Sequence, residues 1–191
     1  QNVTIEYRWA EGQNDRLPVL ASDLAGRRVN VIAVPASTPG ALAARAATTT
    51  IPIVIFTAGD PVALGLIASL NRPGGNVTGV TSLGGELAPK RLSLMRELFP
   101  NASTMALLVN PSNPALAIST ANDVQAAART LGLQIHVIRA STERDLDGVF
   151  ANVVQMRASA LVISIDSFFT GRRAQLGASA LRYGGATIYQ S

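Results

Sequence analysis

The sequence alternates short apolar runs, rich in β-branched residues, with longer amphipathic segments, and this alternation limits the chain to a few folds. The runs begin about every 25 residues along the 191-residue chain, which is the length of one strand followed by one helix. From residue 29 onward most of them are continuously apolar, as expected for strands buried on both faces of a parallel sheet. The pattern therefore predicts an α/β fold of doubly wound parallel sheets with helices on both faces.

The same pattern assigns individual elements. The predicted strands are Val3 to Trp9, Val29 to Val34, Ile53 to Phe56, Val77 to Thr81, Met105 to Val109, Gln134 to Ile138, Leu161 to Ile165 and Thr187 to Tyr189. A helix is predicted over Asp60 to Leu70, and helical spacing predicts two more with the buried stripes Leu87, Leu94, Met95, Leu98 and Leu146, Val149, Phe150, Val153, Val154. Thr142 and Asp145 have the spacing of a capping box.

A hinge rich in proline and glycine, Asn71 to Asn76, divides the chain. The segment that follows, Thr78 to Gly85, is again rich in glycine, serine and threonine. We therefore expect two lobes, a first α/β lobe over residues 1–81 and a second over residues 82–191.

Composition excludes several classes of function. The chain has no cysteine, so it has no thiolate nucleophile, no disulfide scaffold and no Cys-ligated metal. His136 is the only histidine and lies inside a predicted strand, which leaves no multi-histidine metal centre and no Ser/His/Asp triad. The glycine-rich nucleotide motifs and the G-x-S-x-G elbow are also absent. We expect no catalytic residue, no metal and no cofactor.

Charge and hydropathy exclude two further kinds of partner. The net charge is +4, but the basic residues are scattered and form no stripe interleaved with aromatic residues. A base-stacking surface needs such a stripe, so nucleic acid is not expected as a partner. No apolar run reaches the roughly 18 residues that a membrane-spanning helix needs.

Small polar residues follow four of the predicted strands. In an open parallel sheet these junctions lie at the carboxyl ends of the strands, where ligands bind. Thr38-Pro39, Asp60-Pro61 and Asn113-Pro114 have the pattern of helix starts, whose free N–H groups suit an anion. The expected ligand-binding residues are Ser37, Thr38, Thr57, Gly59, Asp60, Asn110, Asn113, Asp166, Ser167 and Phe168.

Some of these residues also have a purely structural interpretation. Asp166 follows a buried strand, where its carboxylate can pair with an ammonium group, but it can also be the N-cap of the next helix. Asp60 fits an N-cap as well. Phe168 and Phe169 either stack on a flat ligand or belong to the core. Arg172-Arg173 is expected on a solvated helix face.

Seven segments together carry a family resemblance. They are Gly12 to Leu17, Ala46 to Val54, Gly59 to Val62, Leu70 to Val80, Lys90 to Leu92, Leu108 to Pro111 and Phe168 to Arg173. The chain resembles the substrate-binding proteins of ABC transporters, of the tryptophan/tyrosine-binding type, along essentially its whole length. The specific part is the run Asn-Arg-Pro-Gly-Gly-Asn-Val-Thr-Gly, whereas the capping motifs alone are not specific.

The resemblance implies a type I periplasmic binding protein, in which two lobes close on a ligand in the cleft between them. It implies export to the periplasm, with a lipid anchor as one form of attachment, and delivery of the ligand to an ABC permease. Members of this family carry a first strand and helix before the position of Gln1 and a crossover segment beyond that of Ser191. The resemblance therefore implies that this chain is a fragment.

The resemblance also implies roles for the site residues. Ser37, Thr38 and Thr57 would hold the carboxylate of an amino acid, and Asp166 would bind its ammonium group, with the neighbouring asparagines adding hydrogen bonds. Aromatic amino acids, aliphatic amino acids and small carboxylates all remain open as ligands. A ligand-sensing effector domain of the same fold is the alternative. A two-lobed racemase would rely on a cysteine pair, which this chain lacks.

Overall fold

The computed structural model describes residues 2–184 and 186–188, and the chain divides into two compact units. One unit comprises residues 1–57 and 61–81, and the other residues 58–60 and 82–191. The helices and strands of the first unit are α1 (Leu17–Gly26), β1 (Ile32–Val34), α2 (Thr38–Ala47), β2 (Ile53–Thr57) and β3 (Val77–Thr81). Those of the second are α3 (Ala88–Leu98), β4 (Thr104–Val109), α4 (Pro114–Thr130), β5 (Gln134–Arg139), α5 (Glu143–Gln155), β6 (Ala160–Ile163), α6 (Ser167–Gly171), α7 (Arg173–Tyr183) and β7 (Ala186–Ile188).

Each unit contains one parallel sheet. The strand order is β1-β2-β3 in the first unit and β5-β4-β6-β7 in the second. Every strand pair described is parallel, with Ile32 opposite Ile53 and Ala106 opposite Leu161 as examples of the register. The predicted α/β fold with parallel sheets is therefore confirmed.

The second sheet is covered on both faces. Alternate residues of β4 and β6 point to opposite sides, and both sets are buried. On one side Leu108 packs with residues of α5 and α7, and on the other Leu107 packs with residues of α3 and α4. The continuous apolar runs of these strands are thus explained by burial on both faces, as the sequence predicts.

The first sheet has one buried face among the described residues. Ile53 and Ile55 of β2 pack against α2, whereas Val54 and Phe56, which point the other way, are 44% and 45% exposed. The prediction that both faces are covered is wrong for this strand within residues 2–184 and 186–188. Its apolar run is continuous, but the described helices that pack on the sheet lie on a single side.

The predicted strand Val3 to Trp9 is wrong. The backbone of this segment has no strand assignment, and the side chains of Val3, Ile5, Tyr7 and Trp9 are exposed. Segment 3–9 contacts α1 through an ion pair between the guanidinium of Arg8 and the carboxylate of Asp23. The alternation of apolar residues is typical of a strand, but a strand also needs a hydrogen-bonded neighbour, and the described residues supply none here.

The predicted helix from Asp60 to Leu70 is also wrong. The segment consists of turns, closed by hydrogen bonds from the Gly65 N–H to the Val62 carbonyl and from the Leu66 N–H to the Pro61 carbonyl. Gly65 has a φ of 67°, a left-handed conformation that an α-helix does not contain. Leu66 is nevertheless buried in the core of the first unit, which explains the misleading apolar spacing.

The buried stripe of α3 differs from the prediction. Ala88, Arg91, Leu92 and Met95 face inward, whereas Leu87, Leu94 and Leu98 are exposed. The predicted stripe and the observed stripe both have helical spacing, and both contain Met95. Periodicity alone therefore cannot tell which of the two is buried. Burial lowers the pKa of the Arg91 guanidinium on the inward face.

The remaining elements follow the predictions with small changes. The capping box between Thr142 and Asp145 is confirmed, and in α5 the stripe is buried except for Val154. The strand predicted from Val29 begins only at Ile32, the strand predicted to end at Ile165 ends at Ile163, and the remaining ends of the strands that form agree with the prediction or differ by one residue. Tyr189, the predicted end of the last strand, lies outside the described residues.

The glycine- and proline-rich run that ends at Gly79 has a structural role. The side-chain amide of Asn76 donates to the carbonyls of Thr48 and Ile51, joining the start of β3 to the loop before β2. Gly79 has a φ of 151° and lies so close to the backbone of Ile55 that a Cβ would overlap with the Ile55 carbonyl. Several residues of the run are therefore required by the close pairing of β2 with β3.

Candidate functional site

The predicted site residues lie just beyond the carboxyl ends of strands. Because the strands of each sheet are parallel, these ends share one edge of that sheet. In the first unit the edge carries Ser37, Thr38 and Thr57, and in the second it carries Asn110, Asn113, Asp166, Ser167 and Phe168. Gly59 and Asp60 follow β2 in the segment 58–60, which groups with the second unit.

Ser37 caps helix α2. Its Oγ accepts a hydrogen bond from the Gly40 N–H at 3.0 Å, and its backbone is extended, as at other N-caps. The sequence had suggested Thr38 as the cap because it precedes Pro39, but Thr38 is the first residue of the helix. Because Ser37 is the cap, the Thr38 hydroxyl makes a different contact.

That contact is with Thr57 at the end of β2. The two hydroxyl oxygens lie 2.9 Å apart, and Thr38 and Thr57 are only 5% and 1% exposed. One hydroxyl donates and the other accepts, so the pair joins the start of α2 to the end of β2. The structure thus brings these two predicted residues together.

Asp166 is the centre of a hydrogen-bonded cluster in the second unit. Its Oδ1 accepts from the Phe168 N–H at 2.9 Å and from Asn110 Nδ2 at 2.8 Å. Its Oδ2 accepts from Asn113 Nδ2 at 3.1 Å, and the residue is 8% exposed. Asp166 is therefore the N-cap of α6, and the same carboxylate also accepts hydrogen bonds from two buried side-chain amides.

The two asparagines reach Asp166 from the loop after β4. Asn110 is fixed because its Oδ1 accepts from the N–H and the hydroxyl of Ser112. Asn113 occupies the N-cap position of α4, yet its side chain makes no capping hydrogen bond and turns to Asp166 instead. The predicted helix start at Asn113-Pro114 is thus confirmed in position but not in the use of the side chain.

The cluster has unused capacity to accept hydrogen bonds. A carboxylate offers about four lone-pair positions, and three of those of Asp166 are occupied. Within the part of the chain that the structure describes, Asp166 forms no ion pair, and no donor bonds to Asn113 Oδ1. The buried negative charge is held by neutral donors alone, an arrangement that favours an incoming cation.

Phe168 and Phe169 have different environments. Phe169 is buried in the core, and its ring meets that of Phe168 edge to face, with centroids 5.4 Å apart. Phe168 is only partly buried, and the guanidinium carbon of Arg172 lies 4.1 Å from its ring centroid. The core interpretation is right for Phe169. The expectation of a solvated face is wrong for Arg172, which also pairs with Glu143.

Two residues that contact the predicted site residues are absent from the prediction. They are Ser112, which bonds Asn110, and Arg172, which stacks on Phe168. Ser112 stands two positions after Asn110, the spacing at which an Asx side chain bonds the backbone and closes a turn. Arg172 stands four positions after Phe168, which places both on one side of a helical turn. Both spacings are visible in the sequence.

The described residues contain no candidate metal centre and no histidine at a strand end. Within residues 2–184 and 186–188 no group of three or more His, Asp or Glu side chains is arranged to hold a metal ion. His136 lies in the middle of β5, opposite Ala106, and not at a strand end. Over the same residues no helix combines the length and the apolar character needed to cross a membrane.

The chain is similar to one curated protein and to several solved structures. It is 34% identical over 111 residues to the tyrosine-binding protein of Clostridioides difficile, an alignment that covers 58% of this chain and 31% of that protein. A conserved domain protein from Vibrio cholerae has a crystal structure that matches 98% of this chain and 62% of its own, with 25% identity and a TM-score of 0.85. The ABC domain of Streptococcus pneumoniae in complex with L-Trp matches 99% of this chain and 62% of its own, with 22% identity and a TM-score of 0.80.

These relatives are longer than the chain described here, which spans about a third of the curated relative and under two thirds of the two solved structures. The sequence profile described as ABC transporter substrate binding protein matches residues 1–180, which is nearly the entire chain. The chain belongs to the family of ABC transporter substrate-binding proteins.

Proposed function

We propose that this protein is the solute-binding component of an ABC importer and that it captures a small zwitterion, an amino acid. The observation that carries the proposal is the buried carboxylate of Asp166, held by neutral donors at the ligand-binding edge of a parallel sheet. Family membership supports the transport role. In this proposal the protein works in the periplasm, and an ABC permease receives the ligand.

Asp166 and Asn113 would bind the ammonium group of the ligand. An ammonium group has three donors, and Asp166 Oδ2 retains an acceptor position beside Asn113 Oδ1. Hydrogen bonds to a charged partner are about twice as strong as neutral ones. The ammonium would also neutralise a buried carboxylate that forms no ion pair within the described residues, and a buried charge without a counter-ion is costly.

The edge of the first unit would bind the ligand carboxylate. Ser37, Thr38 and Thr57 lie at the N-terminal end of α2, whose dipole favours an anion by about 0.3–1 kcal/mol. Gly59 and Asp60, in the segment after β2 that groups with the second unit, would add further ligand contacts.

The expected affinity requires more than these hydrogen bonds. A micromolar dissociation constant corresponds to about 8 kcal/mol. Two or three charge-assisted hydrogen bonds fall short of that once the lost freedom of the ligand is counted. Burial of the bound ligand would add desolvation and packing, with Ser167 and Phe168 contacting its side chain. Ligand binding would also create the state that a permease distinguishes from the empty protein.

Aromatic amino acids are the first ligands to test. One relative is named for tyrosine and another was crystallised with L-Trp. Isothermal titration calorimetry of the full-length protein should compare L-tryptophan, L-tyrosine and L-leucine with tryptamine, which lacks the carboxylate, and indole-3-propionate, which lacks the ammonium. We expect the indole analogues to bind at least about tenfold more weakly than L-tryptophan, because each loses one charged contact. The proposal is wrong if no amino acid binds or if both analogues bind as tightly as L-tryptophan.

A further inference from the structure

We propose that Arg172 is a positioning residue that sets the selectivity of the site for aromatic ligands, by fixing the ring of Phe168 for stacking on a bound side chain. This inference rests on the proposed function, because it assigns a ligand contact to Phe168. Arg172 itself would not touch the ligand. Its effect would be transmitted through the orientation of one ring.

The guanidinium of Arg172 is held at three points. Its central carbon lies 4.1 Å from the centroid of the Phe168 ring, its Nη2 donates to Glu143 Oε1 at 3.0 Å, and its Nη1 donates to the Phe168 carbonyl at 3.4 Å. The side chain is 28% exposed. A planar cation that is anchored in this way covers one face of the ring and restricts its rotation.

Phe168 is restrained from two further directions. The buried ring of Phe169 meets it at 65° with centroids 5.4 Å apart, an edge-to-face contact. Its backbone N–H is bound by Asp166 Oδ1 at 2.9 Å. The carboxylate proposed to bind the ligand ammonium and the ring proposed to contact the ligand side chain are thus parts of one rigid turn.

The cation on one face of the ring has a consequence for the other face. A positive charge draws the π-electrons of the ring toward itself, so the opposite face becomes a better partner for an electron-rich aromatic group such as indole or phenol. An aliphatic side chain packs by area and responds little to either the charge or the ring angle. Removal of the cation should therefore weaken the binding of aromatic ligands more than that of aliphatic ligands.

The test compares the affinities of the full-length protein for L-tryptophan and L-leucine by calorimetry. Arg172→Met removes the charge and keeps much of the bulk, and Arg173→Met is the matched control, because Arg173 is exposed and not stacked on a ring. We expect Arg172→Met to reduce the preference for tryptophan over leucine by about fivefold, or about 1 kcal/mol. Arg173→Met should leave that preference unchanged.

Two further variants keep the test decisive if Arg172→Met does not fold. Arg172→Lys retains the charge and should keep most of the preference, and Glu143→Gln loosens one anchor and should reduce it in the same direction as Arg172→Met. An equal loss of affinity for both ligands, or an unchanged preference in whichever of Arg172→Met and Glu143→Gln folds, would overturn the inference and leave the proposed function standing. Failure of the unaltered protein to bind tryptophan and leucine would overturn the inference, and failure to bind tyrosine as well would overturn the proposed function.

Discussion

Asn113 donates its side-chain amide to Asp166 Oδ2 across 3.1 Å while it occupies the N-cap position of helix α4. An asparagine at this position normally uses its side-chain oxygen to cap the helix. Here the side chain connects the turn after β4 to the turn after β6, two segments 53 residues apart in the sequence. The side chain thus joins two strand-end turns and leaves α4 without a side-chain cap.

Substitution of Asn113 should therefore destabilise the fold. Asn113→Ala removes a donor from a buried carboxylate, and a hydrogen bond to a charged group contributes about 1.5–3 kcal/mol. We expect the free energy of unfolding, measured by chemical denaturation, to fall by about that amount. Asn122→Ala, at an exposed position of the same helix, should change it by less than about 0.5 kcal/mol. Equal effects of the two substitutions would show that the contact with Asp166 contributes nothing.

The hydroxyl pair of Thr38 and Thr57 should be energetically coupled. The residues are buried and 2.9 Å apart, so replacement of either by valine leaves the other hydroxyl with one partner fewer. In a double-mutant cycle of Thr38→Val and Thr57→Val, the coupling should be about 0.5–1.5 kcal/mol. Strictly additive losses in denaturant unfolding would mean that the two hydroxyls do not stabilise each other.

The sequence predicts the second unit better than the first, for a physical reason. The runs Met105 to Val109 and Leu161 to Ile163 are buried on both faces by helices from the same part of the chain, so local pattern and burial agree. The segment Val3 to Trp9 has the pattern of a strand but no described strand beside it. Segment 60–70 contains Gly65, whose left-handed conformation is a property of the folded backbone and not of apolar spacing.

The candidate site could be predicted only in part. The residue types and their positions after the strands follow from the alternation of elements, so Asp166, Asn110 and Asn113 could be chosen from the sequence. Which atoms meet could not, because the contact of Asn113 with Asp166 depends on the register of β4 with β6.

Gly79 should be irreplaceable, in contrast to Gly75 in the same glycine-rich run. A Cβ on Gly79 would overlap with the Ile55 carbonyl and lie 2.7 Å from the Ile55 nitrogen, whereas a Cβ on Gly75 would meet nothing within 4 Å. We expect Gly79→Ala to cost more than about 3 kcal/mol or to prevent folding, since β2 and β3 would have to separate. Gly75→Ala should change stability by less than about 1 kcal/mol in either direction. Similar thermal unfolding of the two variants would contradict the described pairing.

The capping box of α5 should make stability depend on pH in the acid range. Hydrogen bonds from the backbone N–H groups of Ser141 and Thr142 hold the pKa of Asp145 below its ordinary value of 3.8. A lowered pKa means that the contribution is fully present above pH 3.8 and is lost as pH falls through the folded-state pKa. The stability difference between the unaltered protein and Asp145→Asn should be constant near neutrality and shrink as pH falls below 3.8. A difference that stays constant to lower pH would refute this assignment.

The most direct test of the proposed ammonium site compares the unaltered full-length protein with Asp166→Asn. Calorimetry measures the affinity of each for L-tryptophan and for indole-3-propionate. Asp147→Asn, on the exposed side of α5, is the control for loss of one negative charge. We expect Asp166→Asn to weaken the binding of L-tryptophan by about 2 kcal/mol or more, roughly thirtyfold, because its ammonium loses a buried partner, and to leave the binding of indole-3-propionate unchanged. Equal losses for the two ligands, or unchanged binding of L-tryptophan, would contradict this expectation.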